Sequence, residues 1–221
     1  MGTAERLAAV RDRIAAACDR AARDPAEVTL VGVSKGFPPD AVAEAVAVGL
    51  ADLGENRVQE AAAKIEALAA RGVQPRWHLI GHLQTNKVRD ALRLFAILHS
   101  IDSVRLAQEV SKRATTPVAV LLEVNVAQEA TKFGFAPEEV SAALAQIAPL
   151  PNLDVRGLMT VAPLSDDPER ARPVFRRLRE RRDDLGLREL SMGMTDDFEA
   201  AIEEGATLVR VGRAIFGPRG E

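Results

Sequence analysis

Two groups of residues in this chain have the types and spacing to do chemistry. The first is a lysine that closes an apolar run: in VTLVGVSKGF, residues 28–37, Lys35 follows valines and a leucine and precedes Gly36 and a proline pair. An amine desolvated at the end of a buried strand has its charged form disfavoured, so its pKa falls and it becomes able to attack a carbonyl carbon. The competing explanation is a lysine whose stem lies on apolar surface while its ammonium reaches water. The second group lies near the end of the chain, in SMGMTDDFEAAIEEG and VRVGRAIFG. Ser191, Gly193 and Thr195 stand directly before a helical pattern, and Gly212 follows a β-like run; backbone N–H groups at such turns bind phosphate. Those glycines could equally serve tight turns alone.

The elements that must position these groups alternate between two periods. An amphipathic helix is expected over about residues 4–23, where Leu7, Ala8, Val10, Ile14 and Ala17 recur at helical spacing. Eight strands are expected at 28–35, 51–56, 76–81, 97–102, 118–125, 155–161, 189–192 and 208–211. Helical patterns lie between them at about 39–49, 57–71, 84–94, 103–114, 137–147, 168–185 and 196–204, several opening on Asp, Asn, Ser or Pro. Strand followed by helix, repeated along the chain, is the logic of a parallel sheet, and an open doubly wound sheet or a closed barrel could hold it. Eight strands in 221 residues favour a single α/β domain, a (β/α)8 TIM barrel with an extra N-terminal helix, spanning residues 1–221. No linker or low-complexity tract marks a boundary.

Composition narrows the partners. With 29 basic and 32 acidic residues the net charge is −3, so no overall field draws the chain to nucleic acid or an anionic membrane. Cys18 is the sole cysteine, which rules out an internal disulfide and suits a reducing, cytoplasmic compartment. No apolar run approaches the roughly 20 residues of a membrane span, and the charged N-terminal segment is unlike a signal peptide. His78 and His82 have the i, i+4 spacing of a helical zinc pair. They fall on a strand pattern, where that spacing puts them about 13 Å apart, so no metal is expected. His99 is expected to be a satisfied strand histidine. Eight arginines between Arg170 and Arg188 are expected on a solvated helix face, partnered by Glu180, Asp183 and Asp184.

In such a barrel the C-terminal strand ends face the site, and the loops after strands seven and eight are its recurrent phosphate site. The ends here carry Lys35, Glu55, Asn56, His82, Asp102, Asn125, Met159, Thr160, Ser191, Met192, Gly193, Met194, Arg210, Gly212 and Arg213. An imine-forming lysine opposite a phosphate cradle points to pyridoxal 5′-phosphate (PLP) as cofactor. A class I aldolase, which uses a Schiff-base lysine on a sugar phosphate without a cofactor, is an alternative.

The stretches VGVSKGFP, DLGENRVQEA, WHLIGHLQTNK, VNVAQEATKFGF, GLMTVAP and SMGMTDDFEAAIEEGATLVRVGRAIFG together closely resemble the YggS/PROSC family of pyridoxal phosphate homeostasis proteins, over essentially residues 28–217. The resemblance implies a fold-type III PLP-binding barrel like the alanine racemase N-terminal domain, with the cofactor held as a Schiff base on Lys35. It further implies that Ser191, Gly193, Met194, Gly212 and Arg213 surround the phosphate, that Asn56, His82 and Met159 line the ring's pocket, and that Arg210 faces the pyridine nitrogen. An arginine can only donate to that nitrogen, which leaves the ring a poorer electron sink. The implied role is intracellular PLP homeostasis by a monomer that passes cofactor transiently to apoenzymes, without robust catalysis. An amino-acid racemase is the alternative, weakened because the chain contains no tyrosine to act opposite the lysine.

Overall fold

The computed structural model describes residues 2–129, 131–163 and 165–218. Its centre is a closed parallel barrel whose strands follow in chain order: β1 Thr29–Val33, β2 Asp52–Glu55, β3 Arg76–Leu79, β4 Ile97–Ile101, β5 Val118–Glu123, β6 Leu153–Met159, β7 Glu189–Met194 and β8 Leu208–Val211. Closure comes from β1, which pairs with β2 on one side and with β8 on the other, Thr29 opposite Leu208 and Val31 opposite Arg210. Parallel strands covered on both faces need apolar residues on both, which is why the strands read as near-continuous Val/Leu/Ile runs.

Helices α1 Thr3–Arg20, α2 Pro39–Ala47, α3 Val58–Ala69, α4 Val88–Leu94, α5 Val104–Arg113, α6 Val140–Ile147, α7 Arg172–Asp184, α8 Phe198–Glu203 and α9 Arg213–Phe216 surround it. Starts follow local chemistry: Pro39 opens α2 with its φ already helical, and the Ser103 hydroxyl accepts from the Leu106 N–H at the head of α5. The helix after β8 is a single turn and cannot cover its strand. α1 supplies the missing cover, burying Leu7, Val10, Ile14 and Ala17 as it packs against α8 and α9, while Arg6 Nε donates to the Ile215 carbonyl at 2.7 Å. The extra N-terminal helix therefore completes the outer layer.

Boundaries differ from the sequence expectation by a few residues. Lys35 and Asn56 lie just past their strands, and the pattern at 84–94 splits into a 3-10 turn, Thr85–Lys87, and α4. The α7 arginines are also more committed than a solvated face. Arg172, Arg176 and Arg179 converge on Glu204, which is 5% exposed and lies just past α8. Arg182 pairs with Asp183 and Arg181 lies 3.7 Å from Asp184, as expected. No helix among the described residues is long and apolar enough to cross a membrane.

Candidate functional site

A cavity of about 450 Å³ opens at the C-terminal ends of the strands. Its lining is drawn from six of the eight strands or the residues just after them: Val33 and Lys35 from β1, Asn56 from β2, Ile80 from β3, Val161 from β6, Met194, Thr195 and Asp196 from β7, and Arg210, Gly212 and Arg213 from β8. Lys35 is half-buried in the turn after β1, which is closed by the Phe37 N–H on the Ser34 carbonyl and by the Gly36 N–H on Glu60 Oε1 at 2.6 Å.

β7 reaches the cavity through an irregularity. Its pairing with β8 slips between Ser191, opposite Leu208, and Met194, opposite Arg210. Gly193 lies in that slip with φ +89°, and a Cβ there would come within 2.5 Å of the Ala201 side chain. Both the left-handed backbone and the contact with α8 require glycine. Beyond it the Thr195 hydroxyl accepts from the Gly212 N–H at 3.3 Å, joining the ends of β7 and β8, and exposed Arg213 pairs with Asp196 at 2.6 Å.

Arg210 is 4% exposed. Its Nη1 donates to Ser191 Oγ at 2.5 Å and its Nη2 to the Thr160 carbonyl at 2.7 Å. Burial pushes its pKa down to about 10, while the charges of Asp197 and Glu123 act in the opposite direction. Burial, and then the charge of Asp102, push the Glu123 carboxyl up to about 7, with Arg210 pulling it back.

Of the ten residues expected from sequence to hold a ligand, Lys35, Asn56, Met194, Arg210, Gly212 and Arg213 line this cavity, and Gly193 forms the turn that brings β7 to it. Three are placed otherwise. Ser191 is fully buried with its hydroxyl between His99 and Arg210, so the side chain serves the barrel interior. Met159 packs below the cavity with Val31, Leu121 and Leu208, touching it through Val161. His82 stands at the rim, 2.9 Å from Asp102 Oδ2 and stacked on Phe133 at 3.9 Å between ring centroids. Asn125 staples its own loop, its side chain bonding both backbone groups of Glu129. His99 is a satisfied strand histidine as expected, between His78 and Ser191.

Sequence reading missed Val33, Ile80, Val161 and Asp196 as lining, while Thr195, which it named in the phosphate turn, does line the cavity. The first three are ordinary apolar strand-end residues, distinguishable only by strand register. It also missed Lys64, whose Nζ donates to Glu55 and, at 2.6 Å, to the Ser34 carbonyl immediately before Lys35.

Comparison with known proteins places this geometry. The alanine racemase N-terminal domain model matches residues 6–220. A pyridoxal phosphate homeostasis protein of Aquifex aeolicus is 46% identical over 228 residues, covering 99% of each chain. The structure of PipY from Synechococcus elongatus PCC7942 with PLP bound superposes with a TM-score of 0.85 at 36% identity, over 98% of this chain and all of that one. An alanine racemase from Corynebacterium glutamicum shares the fold at a TM-score of 0.68 and 17% identity, over 95% of this chain and 60% of that one.

Proposed function

This chain belongs to the family of pyridoxal phosphate homeostasis proteins, built on the alanine racemase N-terminal domain, and from that premise we propose that it holds pyridoxal 5′-phosphate on Lys35 and stores, protects or delivers it. The observation that carries this reading is a 450 Å³ cavity with a lysine at its mouth and a buried arginine in its wall. That volume is within the roughly 300–1,000 Å³ of small-molecule sites.

The donor set fits the cofactor. The Asn56 side-chain oxygen is buried, has no partner among the described residues and belongs to a residue lining the cavity, so it is an acceptor available to a ligand hydroxyl. Arg213 brings positive charge, and the Thr195 hydroxyl and the Gly212 N–H stand together at the β7–β8 junction. These groups suit a phosphate. When bound, the cofactor supplies an aldehyde that condenses with a primary amine, and Lys35 is the amine assigned to it. Arg210 has no acceptor and donates only, so it disfavours a proton on a ring nitrogen that it faces. That suits holding more than electron withdrawal.

The whole chain, 1–221, acts in this reading as one PLP-binding barrel domain, a cytoplasmic monomer that meets PLP-dependent apoenzymes transiently. Catalysis is not its role: with no tyrosine, the chain lacks the residue type that the racemase reading places opposite the lysine. The test is the visible spectrum of the protein saturated with PLP, before and after borohydride, beside a Lys35→Ala variant. An absorbing parent whose label is fixed on Lys35, with no fixed label in the variant, is the expected result; a parent without a visible band would reject the assignment and favour the aldolase reading. Racemisation of common L-amino acids by the loaded protein at rates typical of enzymes, about 1–10³ s⁻¹, would overturn the non-catalytic role.

A further inference from the structure

Below the cavity, polar side chains meet end to end inside a barrel whose interior is usually filled by branched apolar residues. Asp52 Oδ1 lies 2.8 Å from His78 Nε2, and His78 Nδ1 lies 2.9 Å from His99 Nε2. His99 Nδ1 lies 2.8 Å from Ser191 Oγ, to which Arg210 Nη1 donates at 2.5 Å. His78, His99 and Ser191 are fully buried. The line begins at the first residue of β2, where Arg76 at the start of β3 also donates to Asp52, and ends at Arg210 beside the cavity. It thus runs from the N-terminal end of the barrel to its mouth.

The two ends dictate a direction. A guanidinium only donates and a carboxylate only accepts. With both imidazoles neutral, each contact receives one hydrogen: Arg210 donates to Ser191, Ser191 to His99 Nδ1, His99 Nε2–H to His78 Nδ1, and His78 Nε2–H to Asp52. A proton added to His78 would turn the two middle contacts round and leave the Ser191 hydrogen without an acceptor in the line. Burial holds His99 well below its ordinary pKa, and the charge of Arg210 acts in the same direction. Burial would raise Asp52, but the hydrogen bonds from His78 and Arg76 outweigh it and leave the carboxyl below its ordinary value. A neutral pair of rings between a buried cation and a carboxylate is therefore self-consistent, and bonds aligned in one direction polarise one another.

We propose that Asp52, His78, His99 and Ser191 form a one-directional hydrogen-bond line that holds Arg210 as a fixed donor in the cavity wall, which makes Asp52, His78 and His99 positioning residues of the cofactor site. The order of hydrogens stands on this chain alone; the role toward the cofactor rests on the PLP reading.

Nitrogen-15 NMR of the cofactor-free protein tests the order. The chain has three histidines, and His82→Gln identifies the ring at the rim. Both remaining rings should be neutral with the proton on Nε2; either one protonated on Nδ1, or on both nitrogens, overturns the order. Asp52→Ala, which removes the acceptor at the end of the line, tests the role when loaded with PLP. Its absorption maximum should move and its cofactor should leave about 3- to 10-fold faster, on the order of one lost hydrogen-bond contribution, while borohydride still fixes the label on Lys35. A spectrum and release rate equal to the parent's would overturn the positioning role. If Asp52→Ala does not fold, Ser191→Ala cuts the line beside Arg210 and is read by the same two quantities. A parent that takes up no PLP would count against the cofactor reading, and the histidine measurement would still decide the line.

Discussion

Two lysines stand near the end of β1, and the barrel treats them in opposite ways. Lys35 follows the strand directly and lines the cavity. Lys64 reaches in from α3, is 5% exposed, and has its ammonium on Glu55, on the Ser34 carbonyl and, at 3.6 Å, near Glu60. Those contacts tie the Lys64 side chain to β2 and to the residue before Lys35. Burial alone therefore does not mark the amine that a ligand can reach, because Lys64 is the more buried of the two and does not line the cavity.

Glu55 has the matching relation to Glu123. Both carboxyls are raised, by burial first; Glu55 is pulled back by the hydrogen bonds from Lys64 and Ser34, whereas Glu123 has Arg210 against it only as a charge at longer range. Even so, Glu55 Oε2 is buried without a partner among the described residues, so the carboxyl depends on Lys64 and Ser34 for its contacts.

The comparison breaks first, and most completely, at Lys35→Ala, which should abolish the borohydride-fixed label; a label that persists at full level on Lys64 would reverse the two assignments. Next, Lys64→Met leaves the Glu55 carboxylate buried and unpaired, and should cost about 3–5 kcal/mol in urea unfolding. Adding Glu55→Gln should recover more than half of that loss, and a single-variant cost under about 1 kcal/mol would show that the pair holds nothing together. Glu123→Gln should act in the other direction. The folded-state pKa of Glu123, about 7, lies above its unfolded value, so between about pH 4.5 and 7 the folded chain keeps a proton that the unfolded chain has released. Its contribution is fully present below that window and is lost as pH rises through it. The variant should match the parent near pH 4.5 and exceed it by up to about 3 kcal/mol at pH 8; equal pH dependence of the two chains would show that Glu123 is not the group responsible. Smallest is Glu60→Gln, which retains an acceptor for the Gly36 N–H and removes a half-exposed charge. It should cost less than about 1 kcal/mol and leave the Lys35 label intact, as measured by urea midpoint and label yield.

Much of the fold was legible because a barrel strand buried on both faces must be apolar throughout, and that leaves a signal in residue order. All eight strands were found, with errors at the ends, where pairing with a neighbour and not local preference decides the last residue. The candidate site was legible where chemistry needs an unusual residue in an apolar setting, as at Lys35 and Arg210, or a glycine whose backbone is left-handed, as at Gly193. It was illegible where side chains from distant strands must be seen together. The family resemblance and its place before a helical pattern made Ser191 a phosphate candidate, whereas its hydroxyl lies between His99 and Arg210, 92 and 19 residues away in the chain.

What the sequence alone determined was the order and number of strands, the lysine at the end of the first and the glycine turns of the last two, since periodicity, burial preference and φ requirements are local properties. Only the tertiary structure decided that Lys64 is engaged by Glu55, which residues form the cavity wall, and that Asp52, two histidines and a serine meet in line behind Arg210. Each of these depends on barrel closure, which brings β2, β3, β4, β7 and β8 within hydrogen-bond reach across an interior that no local pattern records.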